Sequence, residues 1–329
     1  MQTEFEWFGK TRIELLYNCD ANYGLLRRDF SLTQSMVDVK IKCGFPKQFR
    51  AAYAKNSNLK VFEIAKLLND ADMNKGVTLS FQSLDDRTLE TIKRSNIKVQ
   101  NLQELIGLYF RESIPTYTEI IMALPGETYD TFANGIQQIL DAGQHDGLNI
   151  YVCIVIPNAE LADPAYIAQH GIRSVKTPVL LQHSSPAKDP LVEYYDIVVE
   201  TNDLPEQDFK RMFLYSWVVQ AYHCLGLTQY IAIYARLQFG ISFRTFYERV
   251  LDFAERNPQS LLGREFQVVS KIVDDAIEGG IGDWSFLGLE RLYGPLRKPH
   301  FSIWSARRTS FTPSSPVSFV PCPRTLAPT

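Results

Sequence analysis

Apolar and polar positions change rhythm along this chain, and the change divides it. From residue 12 to 158, short apolar runs alternate with stretches of helical spacing. Residues 12–20 read as a strand with Ile13, Leu15, Leu16 and Tyr17 at its core, after a short lead-in that carries Trp7 and Phe8. Ser31 is placed to cap a helix over 32–43, which Gly44 stops with Pro46 beyond. Further strands are predicted at 48–54, 76–81, 116–124 and 148–156. The helices between them fall at 59–72, from a cap at Asp85 to residue 93, and at 102–110 and 129–140. A repeat of about 30 residues is what βαβ units require, so the pattern predicts a parallel sheet.

One stretch shows the unit whole. Tyr117, Ile120, Ile121, Met122 and Leu124 form an apolar run of the kind a strand buried on both faces needs. Pro125-Gly126 turns the chain, Glu127-Thr128 follows, and Phe132, Ile136, Ile139 and Leu140 mark one side of the next helix. Such a turn uses Gly and Thr in an ordinary βα loop as well. The strands share a second feature, a polar end: Asp20 and Asn22, Lys55-Asn56, Gln82-Ser83, Glu127 after its turn, and Asn158. In a parallel arrangement these ends lie on one rim, where such folds carry their chemistry.

After Asn158 the alternation stops. A helix starting at Pro164 is predicted over 163–172, and two antiparallel strands at 175–181 and 193–201 flank the loop HSSPAKDP. Helices then dominate, at 207–225, 228–238, 242–256 and 261–278. Residues 1–160 are thus expected to form a partial βα barrel and 161–290 an α-rich region. Residues 291–329, rich in Pro, Ser and Thr, are expected to form a disordered tail. Residues 212–235 contain no Asp, Glu, Lys or Arg and meet the length of a membrane span. Gln220, His223, Gly226, Thr228 and Gln229 interrupt them, so two packed helices are predicted instead.

Composition narrows the chemistry. A net charge of −3 over 329 residues gives no general attraction to nucleic acid or to anionic lipid. The five cysteines, Cys19, Cys43, Cys153, Cys224 and Cys322, are scattered without CxxC spacing. That excludes a zinc ribbon or a disulfide framework and fits reduced thiols in the cytoplasm. The first residues, MQTEFEWFGK, lack the apolar core of a signal peptide.

The ordered set NCDANYG (18–24), YAKN (53–56), LSFQSLDDRTLETIKR (79–94), ALPGETYDTF (123–132) and IPN (156–158) resembles the radical SAM superfamily. It is most similar to members with a cobalamin-binding domain ahead of the radical SAM core. The resemblance implies an α/β fold, a partial TIM-like βα barrel whose strand ends hold S-adenosylmethionine over a 4Fe–4S cluster. It puts Asp20 and Asn22 at the methionine amino group, and Asn56, Ser80, Gln82 and Ser83 at the ribose or carboxylate. Gly126 and Glu127 fall near the adenosine and Asn158 beside the adenine. Carboxylate and amide acceptors suit an ammonium and ribose hydroxyls. The family's cluster ligands, three cysteines spaced CxxxCxxC, have no counterpart here, and Cys19 matches none of them. The chain is therefore expected to be a fragment lacking the cluster loop, the first strand and the cobalamin domain, inactive as written. The exposed edge of its first strand is expected to self-associate. Two other readings stay open: a non-catalytic half-barrel binding module, and a metal-free barrel enzyme using Glu127 and Asp20 as acid and base.

Overall fold

The computed structural model describes residues 2–54, 59–74, 76–94, 99–145, 147–178 and 193–280. Asn56, the HSSPAKDP loop and the whole segment 291–329 lie outside the described residues.

The βα alternation is present. The chain runs α1 (Gln2–Thr11), β1 (Leu15–Tyr23), α2 (Arg27–Cys43), β2 (Gln48–Tyr53), α3 (Leu59–Asp70) and β3 (Val77–Gln82). It continues through α4 (Asp86–Thr91), α5 (Val99–Arg111), β4 (Thr116–Met122), α6 (Tyr129–Asp141) and β5 (Leu148–Val152). β1 pairs with β2, β3 with β4 and β4 with β5, all parallel. A parallel bridge from Phe49 to Asn74 links β2 to the chain entering β3. An antiparallel hairpin follows, β6 (Arg173–Pro178) and β7 (Tyr194–Glu200), and a bridge from Ile154 to Ile197 attaches it beyond β5. Across these bridges the order is β1-β2-β3-β4-β5-β7-β6. The terminal strands β1 and β6 do not pair with each other among the described residues, so the barrel is not closed.

The pleat sorts side chains to two faces. Val77, Leu79 and Phe81 of β3 and Thr118, Ile120 and Met122 of β4 are buried toward the helices. Facing them from α6 are Phe132, Ile136, Ile139 and Leu140, all buried, each worth roughly 1.5–3 kcal/mol against exposure. The opposite, concave face carries Tyr17, Arg50, Ser80, Glu119, Asn149 and Tyr151, which are half-buried or exposed.

Two local expectations are corrected. The lead-in is a helix, α1, pressed so close to α2 that a Cβ on Gly9 would meet the Val39 side chain at 2.6 Å. Ser31 does not cap α2, which starts at Arg27. The turn into it is fixed by the buried Asp29, whose Oδ2 accepts from the amides of Gly24 (3.0 Å) and Leu26 (2.9 Å).

The α-rich region comprises α7 (Pro164–His170), α8 (Glu206–Val218), α9 (Gln229–Phe239), α10 (Phe243–Arg256) and α11 (Leu261–Ile277). α8 packs on α6, with Tyr215 edge-on to Tyr129, and continues into one π-helical turn, Val219–Cys224. That turn and Gly226 (φ 80°) break the uncharged stretch 212–235 into two helices. No described helix is long and apolar enough to cross a membrane.

Candidate functional site

The strand ends that open onto the rim are held by their own side chains. At the end of β1, Asn18 Oδ1 accepts from the Asp20 amide (2.7 Å) and Asp20 Oδ1 from the Asn22 amide (2.9 Å). These two Asx turns leave Asp20 and Asn22 exposed and grouped together. Beyond β5, Asn158 is also exposed and takes a left-handed conformation at φ 66°. Gln82, at φ 60°, turns its Oε1 to the Arg94 guanidinium, which donates through Nε at 2.9 Å.

Ser80 belongs to the concave face itself. Its hydroxyl donates to Glu119 Oε2 at 3.0 Å, and the Tyr151 hydroxyl reaches Glu119 Oε1 at 3.4 Å. Three adjacent strands thus contribute to one carboxylate in the floor of the half-barrel. The sequence reading missed Glu119 and Tyr151. The available signal was an acid at the centre of the strand TYTEIIM, at a position whose neighbours alternate between core and solvent.

Ser83 and Glu127 lie behind the rim. Ala123 (φ 64°) and Gly126 (φ 87°) bend the chain after β4, and Glu127 points between the strand ends and α6 with only 1% of its surface exposed. The Ser83 hydroxyl donates to its Oε1 at 2.8 Å, while Oε2 is buried with no hydrogen-bond partner. Burial pushes this carboxyl up to about 8, and the nearby Asp85 charge adds to the rise. The Ser83 hydroxyl and the backbone at Leu124 and Ala123 pull the other way. At neutral pH it is mainly protonated. The crevice it shares with Gln82, Leu84, Ile120, Thr131 and Phe132 admits no water. A working acid–base pair with Asp20 is therefore not formed, since Asp20 is exposed and Glu127 is sealed. Gly126 faces α4, where a Cβ would stand 2.9 Å from Thr91 Oγ1. Next to it Thr128 caps α6, its Oγ1 accepting from the Thr131 amide at 3.1 Å.

The described cysteines do not fit an iron–sulfur cluster. Cys19 and Cys43 are exposed and Cys153 is buried, its thiol pushed up to about 12 by burial with help from the Glu127 charge. No three potential ligands gather among the described residues. A cluster needs thiolates, and this set supplies no triad of them.

A second polar cluster sits away from the rim. His145 Nδ1 lies 2.9 Å from His223 Nε2, and His223 Nδ1 lies 2.8 Å from the Tyr247 hydroxyl. Burial, with His145 beside it, lowers His223 to about 3, so it is neutral and tethers the π-helical turn to β5's approach and α10. With His223 wholly buried, this cluster is structural.

These features define an open βα half-barrel with a polar concave floor, and comparison with known proteins gives it a lineage. No protein-family model matches the chain. Two curated relatives are each 37% identical to it over 278 residues, 84% of this chain. One is the cobalamin-dependent radical SAM methyltransferase TokK of Streptomyces tokunonensis. The other is the 2-(S-pantetheinyl)-carbapenam-3-carboxylate methyltransferase of Streptantibioticus cattleyicolor. The chain is a homologue, over part of their length, of cobalamin-dependent radical SAM methyltransferases. It spans 41% of the length of each of these relatives. Among solved structures, TsrM of Kitasatospora setae with cobalamin and a 4Fe–4S cluster bound overlaps 66% of this chain and 44% of its own, at TM-score 0.45 and 15% identity. The radical SAM enzyme HemN of Escherichia coli overlaps 52% and 45%, at TM-score 0.34 and 14% identity.

Proposed function

We propose that this chain is the S-adenosylmethionine-binding half-barrel and α-rich region of a cobalamin-dependent radical SAM methyltransferase. The observation that carries the reading is the 37% identity over 278 residues to two such enzymes, across 84% of this chain. The cluster and the cobalamin belong, on this reading, to parts of those relatives outside the matched segment, because the cysteines described here do not fit a cluster. When bound there, they supply the electron and the methyl carrier.

What this chain contributes is a cradle. Asp20, Asn22 and Asn158 offer exposed acceptors along the rim, and Glu119, held by Ser80 and Tyr151, offers a carboxylate in the floor. Such acceptors suit the ammonium and the ribose hydroxyls of S-adenosylmethionine. Ser83 and Glu127 act from behind, locking the ends of β3 and β4 to the start of α6 so that the rim keeps its shape. Asn56 is proposed for the same rim. The acceptor of the methyl group is a small molecule, and the carbapenam in one relative's name is the first to try.

The test replaces the matched segment of TokK with this chain and reconstitutes the chimera anaerobically. It should bind S-adenosylmethionine and turn it over to 5′-deoxyadenosine or S-adenosylhomocysteine. Glu119→Ala should weaken that binding about tenfold, which is about 1.4 kcal/mol, without changing thermal stability. A chimera that carries cluster and cobalamin yet binds no S-adenosylmethionine would refute the reading. Its failure would favour a non-catalytic half-barrel module.

A further inference from the structure

Helix α9 is built inside out. Its buried side is made of small or polar residues, Ala232, Ala235 and Gln229, and Gln229 is spent donating to the His145 carbonyl at 2.9 Å. Apart from Ile233, which packs against the core, its large apolar side chains face outward. Tyr230 is 77% exposed, Ile231 61%, Tyr234 59%, Leu237 74% and Phe239 67%, with the Phe239 ring edge-on to Tyr234 at 5.8 Å. Tyr230, Tyr234 and Leu237 stand at i, i+4 and i+7, so they form one stripe along the helix. A surface helix ordinarily places such residues against the core.

From this stripe we infer that the chain pairs with a second copy of itself, two α9 helices packing antiparallel across a two-fold axis near Tyr234. Three aromatic side chains at these exposures, with an isoleucine and a leucine, present roughly 600 Å² per copy. Complete burial of this surface in both copies would come to about 1,200 Å² in all, the upper limit of the contact and just past the ~1,000 Å² that a specific interface requires. Charge selects the occupant. From Gly226 to Ser242 the only charged residue is Arg236, and Asp141 holds it through Nε at 2.9 Å and Nη2 at 3.2 Å. A lipid surface would call for lysines and arginines around the apolar stripe. A charged protein partner would find nothing to complement. An isologous contact brings the same neutral stripe against itself, so no like charges oppose it. The helix is about 16 Å long, enough to seat both tyrosines of each copy against the other.

The test is sedimentation equilibrium on the full chain, beside Tyr234→Glu/Leu237→Glu and Tyr17→Glu. The wild type should dimerise with a dissociation constant in the micromolar range, of order 10 µM. The α9 variant should be at least about nine-tenths monomeric at about 100 µM, a loss of more than about a hundredfold in affinity. Both substituted positions are exposed, so its circular dichroism and melting should match the wild type. Tyr17→Glu, on the concave face of β1, should leave the dimer intact. Tyr234→Cys, oxidised and mapped by peptide mass, should join to its own copy across the axis. A monomeric wild type at that concentration overturns the proposal, as does a dimer insensitive to the α9 changes. Binding to phosphatidylcholine vesicles that the α9 variant abolishes would assign the stripe to lipid instead, and would also overturn it.

Discussion

Glu127 gives the chain an unusual dependence on pH. A carboxyl in the unfolded chain titrates near ~4.3, whereas in the fold burial pushes this one up to about 8. Between these values the folded state holds a proton that the unfolded state has released. Stability from this group is therefore complete below about pH 4.3 and is lost as pH rises toward 8, at up to ~1.4 kcal/mol per pH unit. Over the window the loss is of order 5 kcal/mol, a large part of the ~5–15 kcal/mol that holds an ordinary domain. The structural cause is specific: the Ser83 hydroxyl and the nearby backbone at Leu124 and Ala123 are too few to offset burial of the charge, and the crevice has no room for water. Glu127→Gln keeps the volume and the acceptor toward Ser83 while removing the ionisation. Urea unfolding of both proteins from pH 5 to 8 should show similar stability at pH 5. The wild type should then fall behind the variant by several kcal/mol at pH 8, and the difference between the curves cancels all other titrating groups. Parallel curves would refute the reasoning, because they would mean that Glu127 ionises in the fold at little cost.

Two further outcomes are expected. Gly126→Ala should lower the melting temperature by an amount equivalent to ~1–2 kcal/mol, since the position has φ 87° and its new Cβ would crowd Thr91 Oγ1; calorimetry reads it. His223 is lowered to about 3, so its neutral form contributes stability above the unfolded value of ~6.5 that is lost as pH falls, at up to ~1.4 kcal/mol per unit. His223→Gln should be less stable at pH 7 and flatter between pH 6.5 and 4, as followed by denaturant titration at each pH.

The βα order and most helix positions were legible because their signal is local. Apolar period, the Asp85 cap and the Pro-Gly turn act within a few residues, and each appears where the pattern put it. The start of α2 was not, because the residue that fixes it, Asp29, lies inside the helix and works through a side chain bonded back to Gly24 and Leu26. The rim was only partly legible. A polar residue at a strand end looks the same in sequence whether it stands exposed at the rim, as Asp20 does, or folds behind the sheet, as Glu127 does. That choice depends on the left-handed turn at Ala123 and Gly126 and on the space beside α6. Glu119 was hidden for the opposite reason. It sits inside a strand, and only the register against Ser80 and Asn149 reveals which face it occupies.

That register also bears on what the open barrel can hold. Five parallel strands bury most of their apolar side chains on one face and leave Tyr17, Arg50, Ser80, Glu119 and Tyr151 on the other, where Leu15 and Ile121 are the aliphatic exceptions. A face meant to receive a second protein layer would be expected to carry Val, Ile and Leu there, as the helix-side positions of β3 and β4 do. A carboxylate already fixed by two hydroxyls from flanking strands is preorganised instead for a polar ligand, because its geometry is set before anything binds. The concave face is thus better suited to a cofactor bearing cationic and hydroxyl groups than to another layer of protein. An exposed apolar stripe lies elsewhere, on α9. Ligand binding and self-association should consequently be separable: Glu119→Ala should disturb the first and leave the second unchanged, and the paired changes at Tyr234 and Leu237 should do the reverse.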